Sequence, residues 1–333
     1  MSVFTDLVDL ASARLGGAVL LANDEFFAPK ENLLRESEPL FLPDEYTDRG
    51  KWMDGWETRR RRTPGHDWAI LRLGLPGIVR GVLVDTRHFS GNYPPQCSLE
   101  GVELPGHPKP RDLASEAVPW QMLLPRSPLA GDSLNRFPVT APAGRVTHLR
   151  LAIFPDGGVA RLRVYGEVVP DKNRLARLAS QGAEVDLAAL EHGGRVVAAS
   201  DMFFGPRHNL ILPGPPLSMR DGWETRRRRV PGNEWAIVRL GVGGAPRRVE
   251  VDTTHFKGNA PGACSLEGAA GEAPSDDPAA WTEVLPPTDL EPHTRHLFEA
   301  ELRHAGPFTH VRLNIYPDGG VGRLRVWGVP DVR

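Results

Sequence analysis

Lysine is scarce in this chain of 333 residues: only five of its 40 basic residues are lysines, at positions 30, 51, 109, 172 and 257. The other basic side chains are arginines, whose planar guanidinium groups suit carboxylates and fixed hydrogen-bond geometry. The formal net charge is −2, so no overall field attracts nucleic acid or an anionic membrane. We therefore expect neither of these as a partner.

Long apolar runs are also missing, and none approaches the roughly 20 residues that span a bilayer. The first residues show no basic region followed by an apolar block, so we predict no signal peptide. Cysteine is rare as well, with only Cys97 and Cys264. A bridge would require their two places in the chain to meet. Two buried thiols in a reducing cytoplasm are the favoured interpretation, which predicts a cytoplasmic protein.

Several motifs of familiar sites are absent. The chain has no P-loop, no GxGxxG and no GxSxG, which argues against nucleotide binding and a serine-hydrolase elbow. It also lacks HxH, HExxH and CxxC, the tight spacings of most metal sites. We predict no cofactor and no metal ligands, although the sequence does not exclude a divalent metal.

What the chain does contain is a duplication. The nine residues 54–62, Asp-Gly-Trp-Glu-Thr-Arg-Arg-Arg-Arg, return unchanged at 221–229, which is 167 positions later. Matching segments flank them at offsets that fall from 177 to 162 along the chain. The first copy therefore carries two extra insertions, one between Asn32 and Asp54 and a Pro-rich one between Gly101 and Thr147, which we expect to be a surface loop.

The duplication predicts two domains, residues 9–166 and 186–329, joined by residues 167–185. A short helix is possible in the joint, from Asn173. Within each copy, apolar or alternating segments such as 68–73, 81–85 and 146–154 indicate strands, bounded by turns such as Pro76-Gly77. Strands without helical periodicity between them favour an antiparallel sandwich. The predicted fold is all-β, with two tandem jelly-roll β-sandwich domains.

The arginine motif is the first candidate site. Read as a strand, it puts Trp56, Thr58, Arg60 and Arg62 on one side and Glu57, Arg59 and Arg61 on the other. A solvated edge strand would explain one such run. Two identical copies favour a function, because a merely wet surface tolerates other polar residues.

The second candidate is Asp85-Thr-x-His88-Phe-x-Gly-Asn92, repeated with Asp252, His255 and Asn259. It follows an apolar strand, so it lies where a strand runs into a loop. Asp and His at this spacing suit acid–base chemistry. A structural alternative also stands, in which Asp caps the loop and His bonds to a carbonyl.

Two weaker candidates complete the set. Pro155-Asp-Gly-Gly, repeated from Pro317, is turn chemistry whose exposed amides could receive an anion. Asp24 beside two phenylalanines recurs as Asp201, whereas its neighbour Glu25 becomes Met202. Asp24 is therefore the stronger candidate.

The arginine motif, the Asp-Thr-x-His-Phe-x-Gly-Asn motif and the Pro-Asp-Gly-Gly motif, duplicated in one chain over about residues 9–329, resemble those of the allantoicase family. The resemblance implies two jelly-roll domains of the galactose-binding-like kind. It also implies an enzyme of purine (allantoin) degradation that hydrolyses allantoate to ureidoglycolate and urea. The resemblance does not assign catalytic or binding roles to individual residues, so the roles below are predicted from the residues themselves.

Allantoate carries one carboxylate on a carbon that also bears two ureido groups. A carboxylate suits an arginine, and ureido N–H groups suit carboxylate or amide acceptors. We predict His88 as the acid–base residue, with Asp85 and Glu57 orienting it. The second-copy equivalents are His255, Asp252 and Glu224. The predicted substrate-binding residues are Arg59, Arg60, Arg61, Arg62, Asn92, Trp56 and Asp24, with Arg226, Arg227, Arg228, Arg229 and Asn259 in the second copy.

Other functions are left open by the sequence. Two tandem jelly rolls could bind carbohydrate without catalysis, although Trp56 and Trp223 look like core rather than an exposed platform. Nucleic-acid binding through the arginine runs is disfavoured by the net charge. A homo-oligomer is possible, and the sequence does not say which copy holds the active site.

Overall fold

A computed structural model describes residues 4–106, 108–140, 144–274, 277–303 and 306–331 of the chain. The chain divides into two compact units, Met1–Val169 and Pro170–Arg333. Antiparallel strands form the body of each unit. In the described residues, α-helix is confined to α1 (Pro110–Leu113) and α2 (Lys172–Ser180). The predicted all-β architecture of two jelly-roll β-sandwich domains is confirmed.

The strands of the first unit are β1 (Val8–Asp9), β2 (Ala18–Ala22), β3 (Tyr46–Thr47), β4 (Gly50–Lys51), β5 (Trp56–Glu57), β6 (Asp67–Asp85), β7 (Gln96–Val102), β8 (Gln121–Pro128), β9 (Leu134–Pro138), β10 (Val146–Phe154), β11 (Gly158–Val159) and β12 (Arg161–Val168). Those of the second unit are β13 (Val185–Asp186), β14 (Arg195–Ala199), β15 (Trp223–Glu224), β16 (Glu234–Asp252), β17 (Ala263–Ala269), β18 (Thr282–Asp289), β19 (Arg295–Phe298), β20 (Phe308–Tyr316), β21 (Gly320–Val321) and β22 (Arg323–Pro330). Single turns of 3-10 helix connect several of them: Phe4–Asp6, Ala13–Leu15, Lys30–Leu34, Leu190–His192, Arg207–Ile211, Met219–Asp221 and Pro278–Ala280.

One long strand is shared by both layers of the first sandwich. The N-terminal half of β6 pairs with β2 and β10, and its C-terminal half pairs with β9 and β12. The change of partners occurs at Gly77, which pairs with both Val146 and Val168. The predicted turn at Pro76-Gly77 is therefore wrong, because the chain stays extended through it. In the second unit, β16 has the same arrangement.

The core of the first unit lies between these layers. Leu71 of β6 pairs with Leu149 of β10, and both side chains are fully buried. In the other layer Val84 of β6 pairs with Leu162 of β12, again fully buried. Burial of each such side chain stabilises the fold by about 1.5–3 kcal/mol. The resulting rigid frame fixes the loops that follow β5, β6 and β10.

The Pro-rich stretch between Gly101 and Thr147 is not the predicted surface loop, because it contains β8 and β9. Both strands lie at sheet edges, β8 beside β7 and β9 beside β6. Proline is tolerated at an edge, where a missing N–H breaks no ladder hydrogen bond. Pro125, Pro128 and Pro138 accordingly lie within these strands.

The first insertion, between Asn32 and Asp54, forms the short β3–β4 hairpin. Arg49 in its turn donates a hydrogen bond from Nη1 to the Phe26 carbonyl at 2.9 Å. The expected helix of the joint is present as α2, capped where the Asp171 carboxylate accepts a hydrogen bond from Arg174 N. Within the described residues, no helix combines the length and apolar character needed to cross a membrane.

Candidate active site

Residues of all three duplicated motifs surround one pocket of the first unit. Its volume is about 390 Å³. The residues that line it are Phe27, Glu57, Thr58, Arg60, Gly91, Asn92, Tyr93, Pro95, Pro155, Asp156 and Gly157. We call this cavity the Glu57 pocket.

Backbone pairing brings these three motifs together. The short strand β5 pairs with β11, so that Glu57 lies opposite Gly158. Gly158 N donates to the Asn92 carbonyl at 2.8 Å, which ties the second motif to the third. Gly157 has φ of 143°, and a Cβ there would lie 2.7 Å from that same carbonyl oxygen. Glycine is therefore required for the loops to approach this closely.

The carboxylate of Glu57 is held at one oxygen only. Asn92 Nδ2 donates to Glu57 Oε1 at 2.7 Å. Among the described residues, Oε2 accepts no hydrogen bond, so it can accept one from a ligand in the pocket. Burial raises the pKa of Glu57 above its ordinary value, and the hydrogen bond from Asn92 partly offsets this rise. The environment thus favours a carboxyl group that can carry and release a proton.

Two of the four arginines in the motif are used to hold the scaffold. Arg59 Nε donates to Asp24 Oδ2 at 2.6 Å, and Arg61 Nη1 donates to Asp67 Oδ1 at 2.7 Å. Burial would raise the pKa of Asp24, but hydrogen bonds from the Phe26 and Arg59 backbones and from the Arg59 guanidinium lower it. Asp24 is therefore a fixed anion that holds Arg59 in place, and neither residue lines the pocket.

The other two arginines have more freedom. Arg60 lines the Glu57 pocket, with Nε 3.6 Å from Asp156 Oδ1 and a side chain that is 68% exposed. Arg62 is exposed and forms no ion pair within the described part of the chain. The predicted strand through the arginines is wrong beyond Glu57, where β5 ends. Glu57 and Arg60 consequently line the same pocket instead of lying on opposite sides.

The tryptophans of the duplicated arginine motif belong to the core. Trp56 and Trp223 are fully buried, and their Nε1 atoms donate at 2.8 Å to the Asp24 and Asp201 carbonyls. Trp56 does not line the pocket, so its buried side chain anchors β5 to the core. Buried tryptophans cannot form the exposed platform on which a carbohydrate would stack.

Asp85 and His88 lie outside the Glu57 pocket. The buried Asp85 carboxylate accepts hydrogen bonds from two atoms of the Arg87 guanidinium. Nε and Nη2 lie 3.0 and 2.7 Å from Asp85 Oδ2. The imidazole of His88 has Nε2 3.2 Å from the Pro39 carbonyl, and its ring stacks on Phe41. The structure therefore does not bring the predicted acid–base pair to Glu57 and Arg60.

His88 also has an uncommon backbone conformation. Its φ is 70°, a left-handed value that non-glycine residues rarely adopt. The backbone N–H of His88 donates to Asp132 Oδ1 at 2.8 Å, which stabilises this turn. The same turn recurs at His255, with φ of 75° and a hydrogen bond from its N–H to His293 Nδ1. A strained, repeated turn fits the structural alternative, in which the loop is capped and the imidazole bonds to a carbonyl.

The second unit repeats the central contact. Asn259 Nδ2 donates to Glu224 Oε1 at 2.5 Å, and Gly320 N donates to the Asn259 carbonyl at 2.8 Å. The residue that follows Asn259 is Ala260, where the first unit has Tyr93. This copy therefore lacks the aromatic ring that forms one wall of the Glu57 pocket.

The four arginines of the second copy divide in the same way. Arg226 is paired with Asp201 and Arg228 with Glu234, at 3.3 and 2.8 Å. Arg227 and Arg229 are exposed and form no ion pair in the described ranges. Half of the repeated arginine run thus has a structural explanation. Arg60, Arg62, Arg227 and Arg229 keep exposed side chains, and of the first two only Arg60 lines the Glu57 pocket.

Asp252 and His255 also repeat the arrangement of the first unit. His255 Nε2 lies 3.0 Å from the Pro216 carbonyl, so its ring is directed to a loop carbonyl as that of His88 is. The buried Asp252 accepts a hydrogen bond from Thr254 N at 2.8 Å and lines a separate cavity of the second unit.

Of the residues that line the Glu57 pocket, only Glu57, Arg60 and Asn92 are among the predicted site residues, and three of the others have polar side chains. Asp156 accepts a hydrogen bond from Arg61 N at 2.9 Å and lies beside Arg60. Its motif was interpreted mainly as a turn, although exact repetition of Asp-Gly-Gly was a signal. Thr58 lies within the repeated nonamer. Tyr93 is not repeated, so comparison of the two copies could not reveal it.

Cys97 and Cys264 are buried free thiols, as expected. Burial raises the pKa of each to about 12, so neither is a nucleophile near neutral pH. In the described residues, no three or more His, Cys, Asp or Glu side chains are grouped so as to hold a metal ion.

Comparison with known proteins identifies the family. A family model described as the allantoicase repeat matches residues 8–169 and 185–331. A probable allantoicase of Burkholderia mallei is 49% identical over 97% of this chain and 95% of its own length. One from Pseudomonas aeruginosa is 47% identical over 99% and 98%. The crystal structure of Saccharomyces cerevisiae allantoicase has a TM-score of 0.79 and 34% identity, and the match covers 96% of this chain and 92% of that chain. Two matched repeats with full-length relatives show that the chain belongs to the allantoicase family.

Proposed function

We propose that this allantoicase-family enzyme hydrolyses allantoate to ureidoglycolate and urea, and that the reaction takes place in the Glu57 pocket. One observation carries the choice of site. Glu57, with one free carboxylate oxygen, and Arg60, with an exposed guanidinium, line the same small pocket. The guanidinium suits the carboxylate of a ureido acid, and the carboxyl group suits its ureido nitrogens.

The chemistry of allantoate fits this lining. Its carboxylate pairs with the Arg60 guanidinium, whose Nε lies 3.6 Å from Asp156 Oδ1. The nitrogen of one ureido group lies at the free oxygen of Glu57, from which it can receive a proton, and the carbonyl of that group accepts from the Tyr93 hydroxyl. The second ureido group is left beside Asn92 and Gly91. Such positioning places the carbon to be cleaved next to Glu57.

Glu57 is the acid–base residue in this proposal. In its protonated form it donates a proton to the nitrogen of the departing urea as the carbon–nitrogen bond breaks. The lone pair of the other ureido nitrogen stabilises the cationic carbon. The Glu57 carboxylate then takes a proton from water as the water oxygen bonds to that carbon. Ureidoglycolate forms and the carboxyl group is restored, so atoms and protons balance.

The raised pKa of Glu57 supports this order of events. Burial disfavours the charged carboxylate, which retains the proton at a higher pH than an exposed glutamate would. General acid–base assistance of this kind is worth roughly 10²–10⁴ in rate. The positive charge of Arg60 balances the substrate carboxylate and does not compete for the proton.

We assign the active site to the first unit. Tyr93, which lines the Glu57 pocket, is Ala260 in the second copy. The β3–β4 hairpin, an insertion specific to the first copy, also lies beside one residue of this pocket, Phe27. Gly50 approaches the ring of the pocket residue Phe27, since a Cβ on Gly50 would lie 3.8 Å from it. Catalytic roles of His88, Asp85, His255, Asp252 and Glu224 stay predictions, as does substrate binding by the paired arginines.

Two broader proposals accompany this function. The free buried thiols Cys97 and Cys264 support a reducing compartment, and we infer a cytoplasmic enzyme. A homo-oligomer is also proposed, and the molar mass in solution tests it.

Urea release from allantoate by the full chain tests the proposed reaction. We expect one urea and one ureidoglycolate for each allantoate consumed. A folded preparation that releases no urea from allantoate would contradict the proposal. So would release of ammonia in place of urea.

A further inference from the structure

The second unit contains a cavity that shares no lining residue with the equivalents of the Glu57 pocket. Its volume is about 340 Å³. The lining residues are Gly214, Pro215, Glu250, Asp252, Arg295, Arg323, Arg325 and Trp327. We call it the Asp252 cavity.

The first unit has the matching cavity at Asp85, where Arg161, Arg163 and Tyr165 stand for Arg323, Arg325 and Trp327. That cavity is smaller, about 230 Å³, and the Arg87 side chain lines it. Arg87 Nε lies 3.0 Å and Nη2 2.7 Å from Asp85 Oδ2, so a planar guanidinium fills the place in front of the carboxylate.

The second copy has Thr254 where the first has Arg87. The backbone is the same, since Thr254 N donates to Asp252 Oδ1 at 2.8 Å and Arg87 N donates to Asp85 Oδ1 at 2.9 Å. The side chain of threonine cannot supply a guanidinium. Among the described residues, Asp252 forms no ion pair, and its Oδ2 accepts no hydrogen bond. Yet Asp252 is only 4% exposed.

Asp252 lines the cavity, and its Oδ2 has no hydrogen-bond donor among the described residues. A carboxylate oxygen placed in this way is stabilised by a donor that a ligand brings. The arginines around Asp252 donate hydrogen bonds to other acceptors, although Arg295 also attracts Asp252 electrostatically. Arg295 Nη2 is bound to Glu250 Oε2 at 2.6 Å, and Arg325 donates to the Gly214 carbonyl at 3.0 Å. Arg323 Nη2 is bound to Asp221 Oδ2 at 2.9 Å. A ligand in the cavity can therefore supply the hydrogen bonds that Arg87 supplies to Asp85 in the first unit.

We propose that the Asp252 cavity binds a small molecule through a planar group with two parallel N–H donors, a ureido or guanidino group. This group takes the place that the Arg87 guanidinium occupies in the first unit. A ureido group has the same planar shape and offers the same fork of N–H donors to a carboxylate. Trp327 supplies an aromatic wall, and Arg295 at the cavity lining attracts an acidic group on the same ligand.

The Asp252 cavity shares no lining residue with the Glu57 pocket, and the experiment tests the two separately. All binding is measured in the full chain carrying Arg60→Ala, so that the Glu57 pocket lacks its carboxylate partner. The three probes are ureidoacetate, guanidinoacetate and N-acetylglycine. They share a carboxylate and a similar length, but N-acetylglycine has a methyl group in place of the terminal NH₂.

We expect ureidoacetate, guanidinoacetate or both to bind at least ~10-fold more tightly than N-acetylglycine, because a lost charge-assisted hydrogen bond costs about that factor or more. The comparison of the first two shows whether the natural ligand is ureido or guanidino in type. Titration calorimetry gives the dissociation constants and the stoichiometry of one site per chain.

Two variants in the same background locate the site. Thr254→Arg places a guanidinium in front of Asp252, as Arg87 does in front of Asp85, and so occupies the place of the ligand. Asp252→Asn replaces one acceptor oxygen by an NH₂ donor. Each should weaken binding of the tighter probe at least ~10-fold. The proposal is overturned if no probe binds at up to ~10 mM. It is also overturned if N-acetylglycine binds as well as the others, or if both variants, folded by circular dichroism, bind as the parent does.

Discussion

Asn92 Nδ2 donates a hydrogen bond to Glu57 Oε1 at 2.7 Å, and Asn259 makes the same contact with Glu224 at 2.5 Å in the second unit. The contact joins residues from two different duplicated motifs. It is preserved although the next residue changes from Tyr93 to Ala260. The glutamate and the asparagine therefore act as one structural pair, in which the amide holds the carboxylate at one oxygen.

This pair predicts a shift of the pH profile. Replacement of Asn92 by alanine removes the N–H donor that lowers the pKa of Glu57, so this pKa should rise further. Because Glu57 acts first as an acid, activity falls as pH rises through its pKa. The alkaline limb of the kcat/KM profile should therefore move to higher pH in Asn92→Ala. An alkaline limb at the same pH as in the parent chain, or at a lower pH, would mean that Glu57 is not the titrating acid.

The different environments of the arginines predict different kinetic effects. Arg60→Ala removes the exposed guanidinium of the pocket and should lower kcat/KM for allantoate by roughly 10–100-fold, the worth of a charge-assisted contact. Arg62→Ala is the matched control, with the same loss of charge on an exposed side chain outside the pocket. It should change kcat/KM less than about twofold. Equal effects of the two variants would contradict the assignment of Arg60 to the substrate carboxylate.

The position of His88 predicts a small effect of its replacement. His88→Asn is the suitable variant, because asparagine accepts the left-handed backbone of this turn. The imidazole bonds to the Pro39 carbonyl and lies outside the Glu57 pocket, so kcat should stay within about threefold. General acid–base loss would instead cost roughly 10²–10⁴. A fall of that size, with an unchanged melting temperature, would restore His88 as the acid–base residue.

Two buried aspartates predict how stability depends on pH. Burial raises the pKa of Asp9 and of Asp186 from the ordinary 3.8 to about 6, against hydrogen bonds from Val164 N and Val326 N that lower it. A raised pKa means that the folded state holds the proton more tightly. Each group therefore contributes stability that is fully present below about pH 4 and is lost as pH rises through about 6.

The contribution is of the order of 3 kcal/mol for each aspartate, from a shift of about two pKa units. Asn in place of Asp keeps the acceptor oxygen and removes the proton. The difference in unfolding free energy between pH 4 and pH 7 should therefore shift by about that amount in Asp9→Asn relative to the parent chain. Urea denaturation at the two pH values measures it. An identical pH dependence of the unfolding free energy in parent and variant would show that folding does not raise the pKa of Asp9.

The sequence could predict the elements that depend on local pattern and repetition. Strand β10 matches the predicted segment 146–154, and the three motifs that converge on the pocket were recognised by their duplication. The helix of the joint also agrees with its local pattern. Repetition marks residues that both copies need, whatever the reason.

Other features depend on partners far along the chain. Whether an arginine of the run is free depends on carboxylates such as Asp24, which is 35 positions from Arg59, and no local pattern reveals that pairing. The passage of β6 through Pro76 and Gly77 depends on partners in both layers. Repetition also does not separate a structural His88 from a catalytic one, because a strained turn is preserved as faithfully as a site.

The most direct test of the account is the turnover of allantoate by Glu57→Gln beside Glu224→Gln, the same change at the equivalent position of the other unit. The account predicts a loss of roughly 10²–10⁴ in kcat for Glu57→Gln, because glutamine cannot transfer the proton. It predicts a change of less than about threefold for Glu224→Gln. Turnover by Glu57→Gln within about threefold of the parent chain, or a larger loss in Glu224→Gln, would contradict it.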